Sequence, residues 1–234
     1  MTLNETIYHR KSCRSFTSVP VDGETIEKIM SFDMVPLYPD IALRWDILSR
    51  ENVRCICPWT TPQLIAVYSE EADGWLENAG FLFQQMDLYL QSLGLGVCWL
   101  GMGKLNPKTA PAVEGMKFVI LLAFGHPKGN HLRPDKKSFR RKSLEQIADK
   151  ADPRLEPARL APSSVNSQPW HFLHEGEHLH VYCVEKGMAS HMNRIDMGIA
   201  LAHLYVANEE SFRFFTVHKP PALPGYGYIG SVTL

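Results

Sequence analysis

The stretch Ala161-Pro162-Ser163-Ser164-Val165-Asn166-Ser167-Gln168-Pro169-Trp170 sets two prolines around a run of small hydroxyl and amide side chains, directly ahead of a strand signal. Each proline fixes its own φ and removes a donor, while Ser, Asn and Gln offer donors and acceptors at several reaches. A loop of this composition can line a flat polar ligand. It equally serves an ordinary helix-to-strand turn, and the residues alone leave both readings open.

Downstream, residues 170–174 and 178–183 read as strands facing each other across Glu175-Gly176, a hairpin signal. Four histidines, His171, His174, His178 and His180, fall on it, and period-2 alternation predicts that they face solvent. Helical spacing then runs from Met197 to Phe215 through Ile199, Leu201, Leu204, Tyr205, Ala207 and Phe212.

Upstream, short helices are expected after the cap-like Thr2-Leu3-Asn4-Glu5, over residues 22–32, at Ser143-Leu144-Glu145-Gln146-Ile147 and over 156–160. Strand candidates are 42–48, the buried run Gln63-Leu64-Ile65-Ala66-Val67-Tyr68, and 118–125, closed by Gly125 and Pro127. Between them, Leu76, Ala79, Gly80, Phe83, Met86, Asp87 and Leu90 recur at three and four, which predicts a helix over 75–93 ended by Gly94. Residues 127–142 are basic and carry Arg133, Lys136, Lys137, Arg140, Arg141 and Lys142, a composition that also suits a solvated linker.

A chain of 234 residues with 45% hydrophobic content can bury a substantial core. Its formal net charge of −1 supplies no long-range field toward nucleic acid or an anionic membrane, so no nucleic-acid or membrane partner is expected and any anion site must be local. No run approaches the roughly 20 apolar residues of a membrane span, and residues 1–14 lack an apolar signal core. A cytoplasmic protein is expected. Five cysteines without paired spacing fit a reducing compartment rather than a disulfide framework, and Cys55-Ile56-Cys57 has too short a spacing for a zinc knuckle. No metal is expected.

Two further segments could carry chemistry. Arg10-Lys11-Ser12-Cys13-Arg14 can clamp a phosphate through forked guanidinium donors and a hydroxyl, or simply complement the dipole of the first helix. Gly94-Leu95-Gly96-Val97-Cys98-Trp99-Leu100-Gly101-Met102-Gly103 lets backbone approach a flat ligand, or caps the helix and turns the chain. It follows a helix instead of opening one, which excludes a Rossmann fingerprint. There is no Gly-x-Ser-x-Gly elbow, and Cys98 sits among apolar neighbours, so no side-chain nucleophile is expected.

Together these segments resemble the nitroreductase family of FMN enzymes. Arg10-Lys11-Ser12-Cys13-Arg14-Ser15-Phe16 is similar to its opening Arg-x-Ser-x-Arg-x-Phe motif, and residues 161–170 to its Ala-Pro-Ser-x-x-Asn-x-Gln-Pro-Trp motif. Glu77-Asn78-Ala79-Gly80 through Gly94-Leu95-Gly96 and Gly101 resembles its long helix and following loop, and residues 118–127 with Arg140-Arg141 its late strand and basic tail. The order departs from the usual pattern, in which the second motif follows the first by a few tens of residues. At that place the chain reads Val35-Pro36-Leu37-Tyr38-Pro39-Asp40.

In the family, two subunits build each flavin site, one giving each motif. The resemblance therefore implies a fused pseudo-dimer: residues 1–142 as an N-terminal half and 143–234 as a shortened C-terminal half, forming one compact unit. A weak internal echo accompanies this: the helix after Trp75 is matched by one after Asp196, whereas two other matches compete for one segment near Ser143. The implied fold is α+β, a central mixed sheet flanked by helices.

The resemblance further implies that Arg10, Ser12 and Arg14 contact the phosphate, ribityl chain or pyrimidine edge of FMN, and that Lys137, Arg140 and Arg141 complete the phosphate site. Pro162, Ser163, Ser164 and Asn166 would lie along the ring with Gln168 nearby, and Leu100 and Gly101 would offer backbone amides near N5. Lys11, Gly103 and Arg194 are secondary candidates. The implied activity is reduction of nitroaromatic, quinone or similar small-molecule acceptors by NADPH or NADH in alternating half-reactions, with hydride chemistry on the flavin and no catalytic side chain. The alternative is a flavin-binding protein for storage or redox sensing. A monomer is expected, with a homodimer left open.

Overall fold

The computed structural model describes residues 1–55, 57, 59, 61–185 and 190–234. The chain opens with α1 (Leu3–Ile7) and α2 (Gly23–Met30), followed by β1 (Leu43–Ser49), β2 (Val53–Arg54) and β3 (Gln63–Ser69). Next come α3 (Trp75–Ser92), β4 (Gly96–Leu100), β5 (Lys104–Leu105) and β6 (Lys117–Gly125). The second half carries α4 (Leu144–Ile147), α5 (Glu156–Leu160), β7 (Trp170–Glu175), β8 (His178–Val184), α6 (Ser190–Ala207), β9 (Arg213–Phe215) and β10 (Tyr226–Thr233). No helix among the described residues is long and apolar enough to cross a membrane.

The local signals act where the sequence puts them. Thr2 and Glu5 close a reciprocal capping box that starts α1, and Asp22 caps α2 through the Thr25 amide. The chain leaves α3 through Gly94, whose φ of +86 a side chain would strain. The hairpin of β7 and β8 pairs Glu175 with His178, so its two-residue turn is Gly176-Glu177, one residue later than expected.

The α+β class holds. Instead of one mixed sheet, the described strands form two four-stranded antiparallel sheets, ordered β1-β3-β6-β4 and β7-β8-β10-β9, plus the ribbon β2-β5. Numbered by rank in the chain, both large sheets read first-second-fourth-third. In each, an 18-residue helix separates the second strand from the third. Each sheet thus closes its own ladder, and α3 and α6 pack against each other between them.

One core serves both sheets: Ile65, Val67, Leu122 and Phe124 from the first and Phe172 and Val181 from the second pack around Phe81, Phe83, Leu201 and Leu204 of the two long helices. A helix buried on nearly all sides must satisfy its own polar groups. Asn78 accepts the Leu37 and Tyr38 amides at 2.9 and 3.0 Å, Gln85 exchanges hydrogen bonds with the Val35 backbone, and Asp87 pairs with Arg10.

Two expectations in the second half fail. The helix expected over 197–215 begins earlier and stops at Ala207. Phe212 keeps helical spacing only because it folds back on Phe81 and Tyr205, with ring centroids 6.1 and 5.7 Å away, and residues 213–215 pair as an edge strand. His180 does not face solvent: it is 1% exposed and held between Ser231 Oγ at 2.7 Å and Glu175 at 2.8 Å. His174 likewise sits between Asp149 and Asp152. Alternation puts His174 and His180 on opposite faces of the hairpin; residues 149–152 bury the first, and the second is held by Glu175 and by Ser231, its register partner on the neighbouring strand β10.

Candidate functional site

Residues 12–14 run along the start of β4, with Ser12 bridged in parallel to Val97 and the Cys13 amide donating to Val97 O at 2.8 Å. Gly96 permits that approach, because a Cβ there would lie 2.6 Å from Cys13 Sγ. At the far end of β4 the chain turns through Leu100-Gly101-Met102-Gly103, closed by the Gly103 amide on Leu100 O at 3.0 Å.

The facing wall is the loop after α5. Its conformation is unusual: Val165, Asn166 and Gln168 have φ of +46, +59 and +47, and they are the non-glycine residues of the described chain in the left-handed region. Such a conformation costs about 1–3 kcal/mol per residue and is worst for a β-branched one, so the surrounding contacts must hold it. Ser163 Oγ accepts the Gln168 amide at 2.9 Å, and Asp196 on α6 accepts the Ser164 amide through both carboxylate oxygens at 3.1 and 3.0 Å. Residues 140–142 are strapped on from behind: Arg141 donates to Ala161 O at 3.0 Å and to Asn166 Oδ1 at 2.6 Å, and the Lys142 amide and ammonium donate to Gln168. An ordinary turn would not need this many partners.

Between the two walls lies a cavity of about 380 Å³. It is lined by Ser12 and Arg14, by Leu100, Gly101 and Gly103, and by Pro162, Ser163 and Ser164. Of the remaining candidates, Asn166 and Gln168 work within the loop rather than facing the cavity. Arg10 is 2% exposed and spends Nε and Nη2 on Asp87 at 3.1 and 3.3 Å; Asp87 also receives Trp99 Nε1 at 3.1 Å. Lys11 and Lys137 are exposed away from the cavity, and Arg194 pairs with buried Glu77. A larger open depression of about 790 Å³ between Leu43–Asp46 and Pro111–Met116 gathers none of the candidates.

Beyond the cavity wall, Arg133 and Arg141 lie over the Phe139 ring, 4.6 and 5.7 Å from its centroid. Burial, and then the charges of Arg10, Arg133 and Arg159, push the Arg141 guanidinium down to about 10. Arg133 Nε is buried without a hydrogen-bond partner among the described residues. Crowded cations with an unspent donor are the arrangement an anion relieves.

Residues not assigned to the site from sequence also line the cavity: Asp196, Met192 and Ile199 from α6, Trp59, and the cysteines Cys55, Cys57 and Cys98, which spacing and apolar neighbours set aside. Burial raises the Asp196 carboxyl to about 8, with the Ser164 amide pulling it back, and burial lifts Cys98 to about 11. A signal for Asp196 existed. Asn78 in α3 and Asp196 in α6 stand at the same distance before Gly80 and Gly198, and each caps the loop following a proline, Pro36 or Pro162. Cys55 and Cys57 flank Ile56, which lies outside the described residues.

The family described as "Putative TM nitroreductase" matches residues 2–208. The crystal structure of a "putative nitroreductase" from Thermotoga maritima superposes with a TM-score of 0.69 at 20% identity, covering 99% of this chain and 92% of that one. Shorter matches include a protein described as a "Putative NADH dehydrogenase/NAD(P)H nitroreductase" from Parabacteroides distasonis (TM-score 0.46, 20% identity, 62% of this chain and 95% of that one) and an FMN-dependent nitroreductase from Clostridium difficile (TM-score 0.46, 16% identity, 58% and 95%). No curated protein matches it in sequence. With nearly the whole chain matched and the fold shared end to end, this protein belongs to the nitroreductase family of oxidoreductase enzymes.

Proposed function

We propose that the chain is an FMN-dependent NAD(P)H oxidoreductase that holds one flavin per polypeptide in the cavity between residues 12–14 and 162–164. The observation that carries this reading is that one cavity joins Ser12 and Arg14 of one half to Pro162, Ser163 and Ser164 of the other, with a strained, heavily braced loop as one wall. FMN, when bound, supplies two-electron hydride chemistry between a nicotinamide and an electron-poor acceptor such as a nitroaromatic or a quinone.

The chain's own residues bind, orient and exclude water. Ser12 and Arg14 offer a hydroxyl and a guanidinium to the ribityl chain and pyrimidine edge. Leu100-Gly101 offers bare backbone to a flat ring in the cavity, because Gly101 carries no Cβ, which would lie 2.9 Å from Met192 Sδ. Pro162, Met192 and Ile199 give the cavity apolar walls. The phosphate goes to the cluster around Arg141, with Arg10 and Arg133 adding positive potential and Arg140 and Lys137 at its exposed side.

We also read residues 1–142 and 143–234 as two pseudo-equivalent halves. Supporting this, the helix crossing is reciprocal: a Cβ on Gly80 would meet Ile195 O, and one on Gly198 would meet Glu77 O, at positions related by the same offset of 118 residues. Only the N-terminal half carries the Arg-x-Ser-x-Arg motif and only the C-terminal half the Pro-Ser-Ser motif, which makes one complete site. A reducing cytoplasm suits five cysteines that form no disulfide in the described structure.

The purified protein is expected to be yellow, or to gain flavin absorbance and quench FMN fluorescence on mixing, and to bleach with NADPH or NADH. A colourless protein with no quenching overturns the reading. Arg141→Ala should raise the FMN Kd by roughly 10- to 100-fold, the loss of one charge-assisted contact. Titration by fluorescence quenching measures it; an unchanged Kd removes Arg141 from the phosphate site.

A further inference from the structure

The cavity has a second chemical feature that flavin binding does not use. Cys55 and Cys57 both line it, and their Sγ atoms are 2.9 Å apart. That is too close for two unbonded thiols simply packed side by side, and not far beyond the roughly 2.05 Å of a formed S–S bond. The Cys57 amide is directed at Cys55 Sγ at 3.4 Å. Arg50 donates to Val53 O at 2.9 Å and Cys55 O at 3.2 Å, and burial, then the neighbouring Cys55, drives the Cys57 thiol up to about 11 against the pull of the Arg50 charge. Both cysteines are half-buried, whereas Cys98, the third thiol at the cavity, is 3% exposed. Two adjacent, partly accessible thiols at the wall of a redox cavity have the geometry of an exchanging pair; disulfides that occur in a reducing compartment are characteristically of this transient, catalytic kind.

We propose that Cys55 and Cys57 form a reversible disulfide that accepts an electron pair from the flavin, which gives this protein external disulfides as a further class of acceptor. In the reductive step one NAD(P)H and one proton are consumed: the S–S bond between Cys55 and Cys57 breaks, both sulfurs end as thiols, and the nicotinamide is oxidised, with the flavin unchanged after the cycle. In the oxidative step the dithiol exchanges with an external disulfide, regenerating the Cys55–Cys57 bond and releasing two external thiols. Atoms and electrons balance with no other reactant.

This inference rests on flavin occupying the cavity, and its test separates the two. The full-length protein is oxidised with oxidised glutathione, and thiols are alkylated and mapped by peptide mass. The expected result is an intrachain link between Cys55 and Cys57, with Cys13, Cys98 and Cys183 still free, and loss of that link in Cys57→Ser. Adding NADPH anaerobically to the oxidised, FMN-loaded protein should then expose two new alkylation sites, Cys55 and Cys57, while NADPH without FMN exposes none. Failure of the pair to link overturns the proposal, as does a link that survives while the visible spectrum shows bound FMN being bleached. A spectrum showing that FMN does not bind overturns the flavin reading and the relay together.

Discussion

Gly198→Val is expected to lower the melting temperature by roughly 6–12 °C, the equivalent of about 3 kcal/mol in a domain of this size. A Cβ at Gly198 would sit 1.9 Å from Glu77 O and 2.7 Å from the Phe81 amide nitrogen, both backbone atoms of α3. No rotamer change relieves a contact with backbone, so α3 and α6 must separate along a crossing that anchors the core of both sheets. The same separation displaces Asp196 and Ile199, hence the cavity wall, and weaker flavin retention should accompany the loss of stability. Gly80→Ala meets Ile195 O in the reciprocal contact and should act in the same direction, whereas Gly23→Ala, with open space around it, should be close to neutral. Thermal unfolding followed by circular dichroism reads all three. A shift under about 2 °C for Gly198→Val would refute the claim that the helix crossing requires glycine.

Asp196→Asn is expected to stabilise the protein at pH 8 by about 2–4 kcal/mol and to leave it nearly unchanged at pH 4. Burial raises the folded-state carboxyl from 3.8 to about 8. Between those values the folded chain holds a proton that the unfolded chain has released, so unfolding stability falls as pH rises and the loss is complete above pH 8. Asparagine still accepts the Ser164 amide through Oδ1 but never has to ionise. The difference in melting temperature between variant and wild type should therefore open across pH 4–8, and a flat difference would refute a buried, proton-holding Asp196. His203 opposes this at acid pH: burial, and then the charge of Arg10, lowers it to about 3, so its contribution to stability is lost as pH falls from 6.5 toward 3.

Much of the fold was legible because its signals are local. The box of Thr2 and Glu5, the three-and-four spacing of 75–93, the apolar run closed by Gly125 and the Gly176 turn each depend on neighbours within a few residues, and each element forms within a residue or two of its expected bounds. The failures are tertiary. Phe212 imitates helical spacing by packing on Phe81, and His180 finds a partner in Ser231, on a neighbouring strand some fifty residues later. The same division runs through the site. Ser12, Arg14 and the segment 161–170 could be singled out from their composition, but the roles within that segment could not: Asn166 and Gln168, polar and apparently ligand-directed, are spent holding residues 140–142, while Asp196 reaches the loop from a helix thirty residues away.

The sequence by itself determined the two long helices and the strands β1, β3, β6, β7 and β8, though not β4, β9 or β10, together with the two motif-bearing segments and, through the resemblance of the displaced Pro-Ser-Ser stretch, the expectation that two halves share one site. Only the tertiary structure decided how that stretch is shaped and what it faces. Its left-handed residues at 165, 166 and 168 are unfavourable locally, so no reading of neighbouring residues could predict them; they persist because Asp196, Arg141 and Lys142, brought in by the packing of α6 and the strap, supply the hydrogen bonds that offset the strain.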